Sequence, residues 1–275
     1  MATRSQQRAA FLTANPWCAF CGGQEPATTV EHCPPKSLFQ FKNWPEGFEF
    51  PACLSCNKDS ADQDAVIAML ARIHADEMQG NADNRMVGLM LNINKQFPGV
   101  IGRMVPSHIE ARQRNRKLGI KPGPGQLHQD VAPVNVPDEI QLAVGTFAGK
   151  LSKAVYYREA GQVFPAEGSI VMRWFTNIEL LRRDEYPLFE HFMFLAGTSP
   201  LLTRGGKHLN DQFEFKLSLS EDQQVFLLQS RIGKSFGMVL FGSTKPGVLE
   251  PGIQQLQENY QSDRPFIVLQ SAIGA

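Results

Sequence analysis

Residues 18–57 read CAFCGGQEPATTVEHCPPKSLFQFKNWPEGFEFPACLSCN, and the chain is best approached from this stretch. Two CxxC pairs, Cys18/Cys21 and Cys53/Cys56, bracket a Glu31-His32 dipeptide, and Asn57 follows the last cysteine directly. Four thiolates in two such knuckles offer the tetrahedral soft-ligand set that zinc prefers. A closed four-cysteine site leaves no position for a substrate. Zinc held there is therefore expected to be structural, and any chemistry has to come from what the staple holds in place.

Local patterning around the cysteines predicts two short strands and a helix. The β-branched run in Thr28–His32 reads as one strand and Phe48–Ala52 as a second, with a Pro- and Gly-containing loop between them. Cys56 opens a helix expected to continue through SADQDAVIAMLARIHADEMQG to Gly80. Asp62 and Asp64 sit near its start, where carboxylates are expected for helix-end electrostatics alone. Cys33, beside Pro34 and Pro35, reads as a buried thiol. Upstream, residues 3–14 form a short helix that Pro16 ends.

Composition narrows the possibilities. The chain has 275 residues with 27 basic and 27 acidic side chains, so it is not a strongly basic nucleic-acid binder overall, and any such contact must be local. There is no run of 18 or more apolar residues, and the start MATRSQQRAAFLTANPWC lacks the apolar segment of a secretion signal. A soluble, cytoplasmic protein with no membrane partner is expected. Five cysteines, four in zinc-type spacing, suit a reducing compartment better than a disulfide framework does.

Beyond the cysteines, Met86, Leu89, Met90, Ile93 and Phe97 recur at helical spacing and predict an amphipathic helix over 82–97. Ser107–Lys121 carries Arg112, Arg114, Arg116, Lys117 and Lys121 against one Glu110, the strongest basic run in the chain. Residues 122–136 are dense in proline and glycine and read as a linker. After it, a helix starts at Pro137 and ends at Gly161, with Ile140, Val144, Phe147, Leu151 and Val155 on one face. SIVMRWFTN, FEHFMFLAG, FEFKLSLS, QVFLLQSRI and FGMVLFGS then read as strands, and FIVLQ as a possible last one. The expected organisation is α+β: a zinc-stapled ββα module with helices over 1–121, the linker, and a helix on a mostly antiparallel sheet over 137–275. The isolated histidines lack ligand spacing, and Tyr157, Arg173, Trp174 and Asn177 carry no motif.

CxxC, then EHxPPKS, then CxxCN before an acid-rich helix start resembles the HNH endonuclease family, over roughly residues 15–75. The resemblance implies a ββα-metal, treble-clef-like fold. It implies His32 as general base, with Glu31 and Asn57 offering hard oxygen ligands to a catalytic Mg2+ or Mn2+ besides the structural Zn2+. A histidine with an ordinary pKa near 6.5 can take a proton from water at neutral pH. Nucleic acid, DNA ahead of RNA, is the implied partner. Lys36 and Lys58, and more remotely Arg112, Arg114 and Arg116, are the candidate phosphate contacts.

One position departs from the family pattern. The middle asparagine, nine residues before the final one, is here Phe48, which cannot make the hydrogen bond that steadies the histidine loop; Asn43 is the nearest substitute. The alternative is a catalytically inactive zinc-stapled module that binds nucleic acid or protein. On the nuclease reading, residues 137–275 would serve as a targeting, sensing or assembly domain, with self-assembly or a protein partner engaged through it.

Overall fold

The structure is a computed structural model, and it describes residues 3–73, 85–181, 197–260 and 266–270. Helix α1 spans Arg4–Ala14, and a capping box between Thr3 and Gln6 satisfies its first amides. Strands β1 (Thr29–His32) and β2 (Glu49–Ala52) pair antiparallel, with Glu31 opposite Phe50 and His32 opposite Glu49. Helix α2 (Leu54–Lys58) follows at once, capped by the Cys53 side chain. The single helix expected from Cys56 is broken at Asp59-Ser60, and α3 takes over at Ala61–Leu70. The expected continuation to Gly80 stops early, since the helix ends at Leu70 with Ala71 and Arg72 in a turn, while residues 74–80, His191, and all but Gly197 of the strand expected at FEHFMFLAG lie outside the described residues.

Helix α4 (Met86–Gln96) realises the expected Met/Leu/Ile periodicity and packs on α3. Short α5 (Val100–Met104) leads to α6 (His108–Leu118), which holds the basic run between a Ser107/Glu110 capping box and Gly119 in the left-handed region. The stretch expected as a linker contains the short helix α7 (His128–Val131), and Asn135 donates its backbone N–H to the Met104 carbonyl. Helix α8 (Asp138–Ala160) is the longest element and ends on Gly161 in the left-handed region.

The second half forms an antiparallel five-stranded sheet in the order β6 (Glu214–Leu219), β7 (Val225–Ile232), β8 (Phe236–Ser243), β3 (Ser169–Thr176), β9 (Ile267–Gln270). Between β3 and β6 come α9 (Asn177–Leu181) and a hairpin of β4 (Thr203–Arg204) and β5 (Lys207–His208). Period-two alternation splits the sheet's side chains between two cores. Ile170, Met172 and Trp174 of β3 join the main core, while Val171 and Phe175 face a smaller one with Leu249 and Ile253. Ile253 belongs to α10 (Glu250–Tyr260), a helix that the Pro/Gly punctuation of that segment concealed.

The main core is continuous across residues 122–136. Phe20, Phe48 and Phe50 of the cysteine module, Val144, Phe147 and Leu151 of α8, and Phe213 and Phe215 by β6 belong to one cluster. Contact is close at the first knuckle. Gly22 has φ +70°, and a Cβ there would lie 2.4 Å from the backbone nitrogen of Ala166. Only glycine tolerates both the conformation and the approach. No helix among the described residues is long and apolar enough to cross a membrane.

Candidate metal centre and histidine site

Cys18 and Cys21 sit on the turn before β1, and Cys53 and Cys56 on the turn into α2. The ββ pairing brings the two turns together: Ala19 donates to the Pro51 carbonyl and Thr28 to the Ala52 carbonyl, each at 2.9 Å. Within each knuckle a backbone N–H donates to sulfur, Phe20 to Cys18 Sγ and Cys56 to Cys53 Sγ, both at 3.4 Å. All four sulfurs lie within 4.8 Å of one another. A tetrahedral zinc at about 2.3 Å from each would place them about 3.8 Å apart, so the set fits such a metal. A hydrogen bond from Cys56 pulls the Cys18 thiol down and raises that of Cys56, so the two titrate as a pair. Helix α8 supplies the neighbouring charge, since Lys153 Nζ donates to the Phe20 carbonyl between the first two cysteines at 2.8 Å.

Glu31 and His32 are adjacent on β1, so their side chains leave opposite faces of the strand. Glu31 points inward, 6 % exposed, and its Oε1 lies 2.5 Å from Lys150 Nζ of α8. Burial pushes its carboxyl up, against the pull of Lys150. A divalent ion on that oxygen would be held against an ammonium already there, so Glu31 as placed does not fit the expected ion ligand. Asn57 sits in α2 and donates its side-chain amide to Thr29 Oγ1 at 3.2 Å and to the Val30 carbonyl at 3.3 Å. Those bonds fasten α2 to β1 just upstream of Glu31.

His32 faces the loop that follows it. Its ring meets Trp44 edge to face at 5.0 Å. The Trp44 indole also carries Lys36 Nζ and the Arg204 guanidinium, each 3.7 Å from the ring centroid. Trp44 donates from Nε1 to Glu49 Oε1, and Arg204 bonds both that carboxylate and the Trp44 carbonyl. Burial lowers the His32 pKa to about 4, helped by Lys36, Arg204 and Arg4. The imidazole is therefore neutral at physiological pH.

Of the other candidates, Lys58, Arg112 and Arg116 are exposed. Arg114 is committed to structure, donating to the Pro133 carbonyl at 3.1 Å and to Asn135 Oδ1 at 2.6 Å. Phe48 is fully buried and edge-on to Phe50, Phe213 and Phe215. Asn43 lies half-buried at the end of the 3-10 turn Gln40–Lys42. Asp62 accepts from Gln96 of α4 at 2.7 Å. Tyr157 donates to Asn15 Oδ1 and Trp174 to Gln141 Oε1, so both serve packing.

Arg204 was missed in sequence because it lies in a two-residue strand of the other half, with no motif around it. Lys150 and Lys153 were missed on a helix read for its apolar face; their i, i+3 spacing puts both on the side facing the cysteine module. Two cavities, of about 440 and 610 Å3, are not lined by His32; the second borders the metal centre, with Cys56, Ser60, Lys150 and Lys153 in its wall.

Fold and site define a mixed helix and antiparallel-sheet protein with a four-cysteine centre that could hold a metal such as zinc. Compared with protein-family models, curated proteins and solved structures, the chain matches none.

Proposed function

We propose that residues 15–75 form a zinc-stapled, treble-clef-like ββα module of HNH type that hydrolyses phosphodiester bonds in DNA or RNA, with His32 as general base. The observation that carries this reading is geometric: the His32 imidazole lies edge-on to Trp44, whose ring also carries the Lys36 ammonium and the Arg204 guanidinium, each 3.7 Å from its centroid. Cations draw in a phosphate and oppose the charge that builds on it during attack. The uncharged imidazole accepts the proton of the attacking water as its oxygen bonds to phosphorus. The bond from phosphorus to the 3′ oxygen breaks, and that oxygen is protonated from solvent. Because Glu31 is paired with Lys150, no step is routed through a divalent ion.

A second reading, a catalytically silent module that binds nucleic acid or protein, is favoured by two observations. One is the ion pair that engages Glu31. The other is the burial of Phe48 where the family places an asparagine. One assay separates them. Purified protein, with and without magnesium or manganese, should nick plasmid or degrade RNA, and His32→Ala should abolish this while the fold survives. Binding without cleavage in the wild type selects the silent module, and cleavage unchanged in His32→Ala removes the nuclease reading.

A further inference from the structure

Helix α8 reaches the cysteine module from the side of β1 opposite His32. Lys150 Nζ lies 2.5 Å from Glu31 Oε1 and 2.5 Å from Ser60 Oγ, and the Lys150 and Glu31 side chains are 12 % and 8 % exposed. Asp64 of α3 is near enough to couple electrostatically to both Lys150 and Glu31. Burial pushes its carboxyl up to about 7, Lys150 opposing and Glu31 adding to the rise. For Lys150, burial is outweighed by Asp64 and Glu31, so the ammonium holds its proton more firmly than usual.

Two carboxylates and a hydroxyl are the hard oxygen donors that magnesium and manganese take. A cavity of about 610 Å3 reaches Ser60, Lys150 and Lys153. The Lys150 ammonium sits against the Glu31 and Ser60 oxygens, and its charge excludes a divalent ion from that place. We infer that Lys150 is the resident cation of this motif: its ammonium fills the place in which Glu31 would otherwise hold a divalent ion, and the His32 face works without one. The consequence for hydrolysis rests on the reading above, whereas the occupancy itself does not.

The test is Mn2+ binding by the zinc-loaded full chain, followed by electron paramagnetic resonance without nucleic acid. The wild type should take up no Mn2+ that Glu31→Gln removes. Lys150→Met, checked for retained zinc and circular dichroism, should gain a single Mn2+ site that the added Glu31→Gln change abolishes. Glu31-dependent Mn2+ uptake by the wild type overturns the inference, as does a folded Lys150→Met protein that takes up none. If Lys150→Met does not fold, the wild-type titration against Glu31→Gln still decides. None of these outcomes depends on cleavage, so a failed nuclease assay leaves the inference standing on its own measurement.

Discussion

Glu31 and His32 are joined by one peptide bond and serve two different places: the carboxylate is ion-paired with Lys150 at 2.5 Å, while the imidazole packs edge to face on Trp44 at 5.0 Å. Strand alternation makes the separation unavoidable, because consecutive side chains leave opposite faces. The acid therefore ties the module to α8, and the imidazole is left to the loop of Lys36 and Trp44 and to Arg204.

His32 should titrate far below an ordinary histidine. Burial and its cationic neighbours hold it at about 4 against 6.5. Between those values the unfolded chain binds the proton and the folded one does not, so the His32 contribution to stability is fully present above pH 6.5 and is lost as pH falls through about 4. The acid limb of kcat/KM should fall near pH 4. Nitrogen chemical shifts of the imidazole check the titration directly, and a midpoint near 6.5 would show that the site is wetter than described.

Placing an asparagine at position 48, as the HNH resemblance would have it, should harm the protein. Phe48→Asn empties a fully buried aromatic site and leaves an amide among Phe50, Phe213 and Phe215. The expected loss is about 3–5 kcal/mol, the range for truncating a buried phenylalanine, with a further cost for the unbonded amide. Urea denaturation measures it. A variant as stable as the wild type, with faster cleavage, would mean that the aromatic cluster is not what Phe48 provides.

Metal removal should be felt in both halves. A structural zinc site can contribute about 10 to 16 kcal/mol that is also folding free energy, so Cys53→Ser or a strong chelator should unfold residues 15–75. Because Phe48 and Phe213 share one core with α8, amides of β3 and β8 should lose hydrogen-exchange protection as well. A metal-free protein with unchanged melting temperature and exchange would count against the staple.

Arginines near the two candidate surfaces should behave differently. Arg204→Ala should weaken nucleic-acid binding and reduce the salt slope by about 1, as expected when one phosphate contact goes, and should also lower stability, since its guanidinium holds Glu49 and the Trp44 carbonyl. Replacing exposed Arg112 and Arg116 should reduce the slope likewise if α6 tracks the backbone of the nucleic acid. Arg114→Ala should instead lower stability alone, since its guanidinium holds Pro133 and Asn135. Salt titrations of binding and thermal melts separate the two effects, and an unaltered slope in Arg204→Ala would remove that residue from the site.

The metal centre was legible because its information is local. Ligand type and spacing within two knuckles define the centre, and the β-branched and aromatic runs beside them predict the hairpin that brings the knuckles together. The helix over 137–161 and strands β3, β6, β7 and β8 were legible for the same reason, as periodicity records which face is buried. Helix α10 was not, because Pro251 and Gly252 read as loop punctuation while proline in a first turn is compatible with a helix.

What sequence alone determined here is the chemistry available: four thiols for one metal, an acid beside an imidazole, an asparagine on the helix that follows. What tertiary structure decided is which groups meet. Lys150, 119 residues from Glu31, and Arg204, 160 residues from Trp44, arrive by packing of α8 and of the β4–β5 hairpin. Such partners leave no local trace, because a side chain's charge and hydrogen bonds depend on the burial and on the neighbours that folding brings to it.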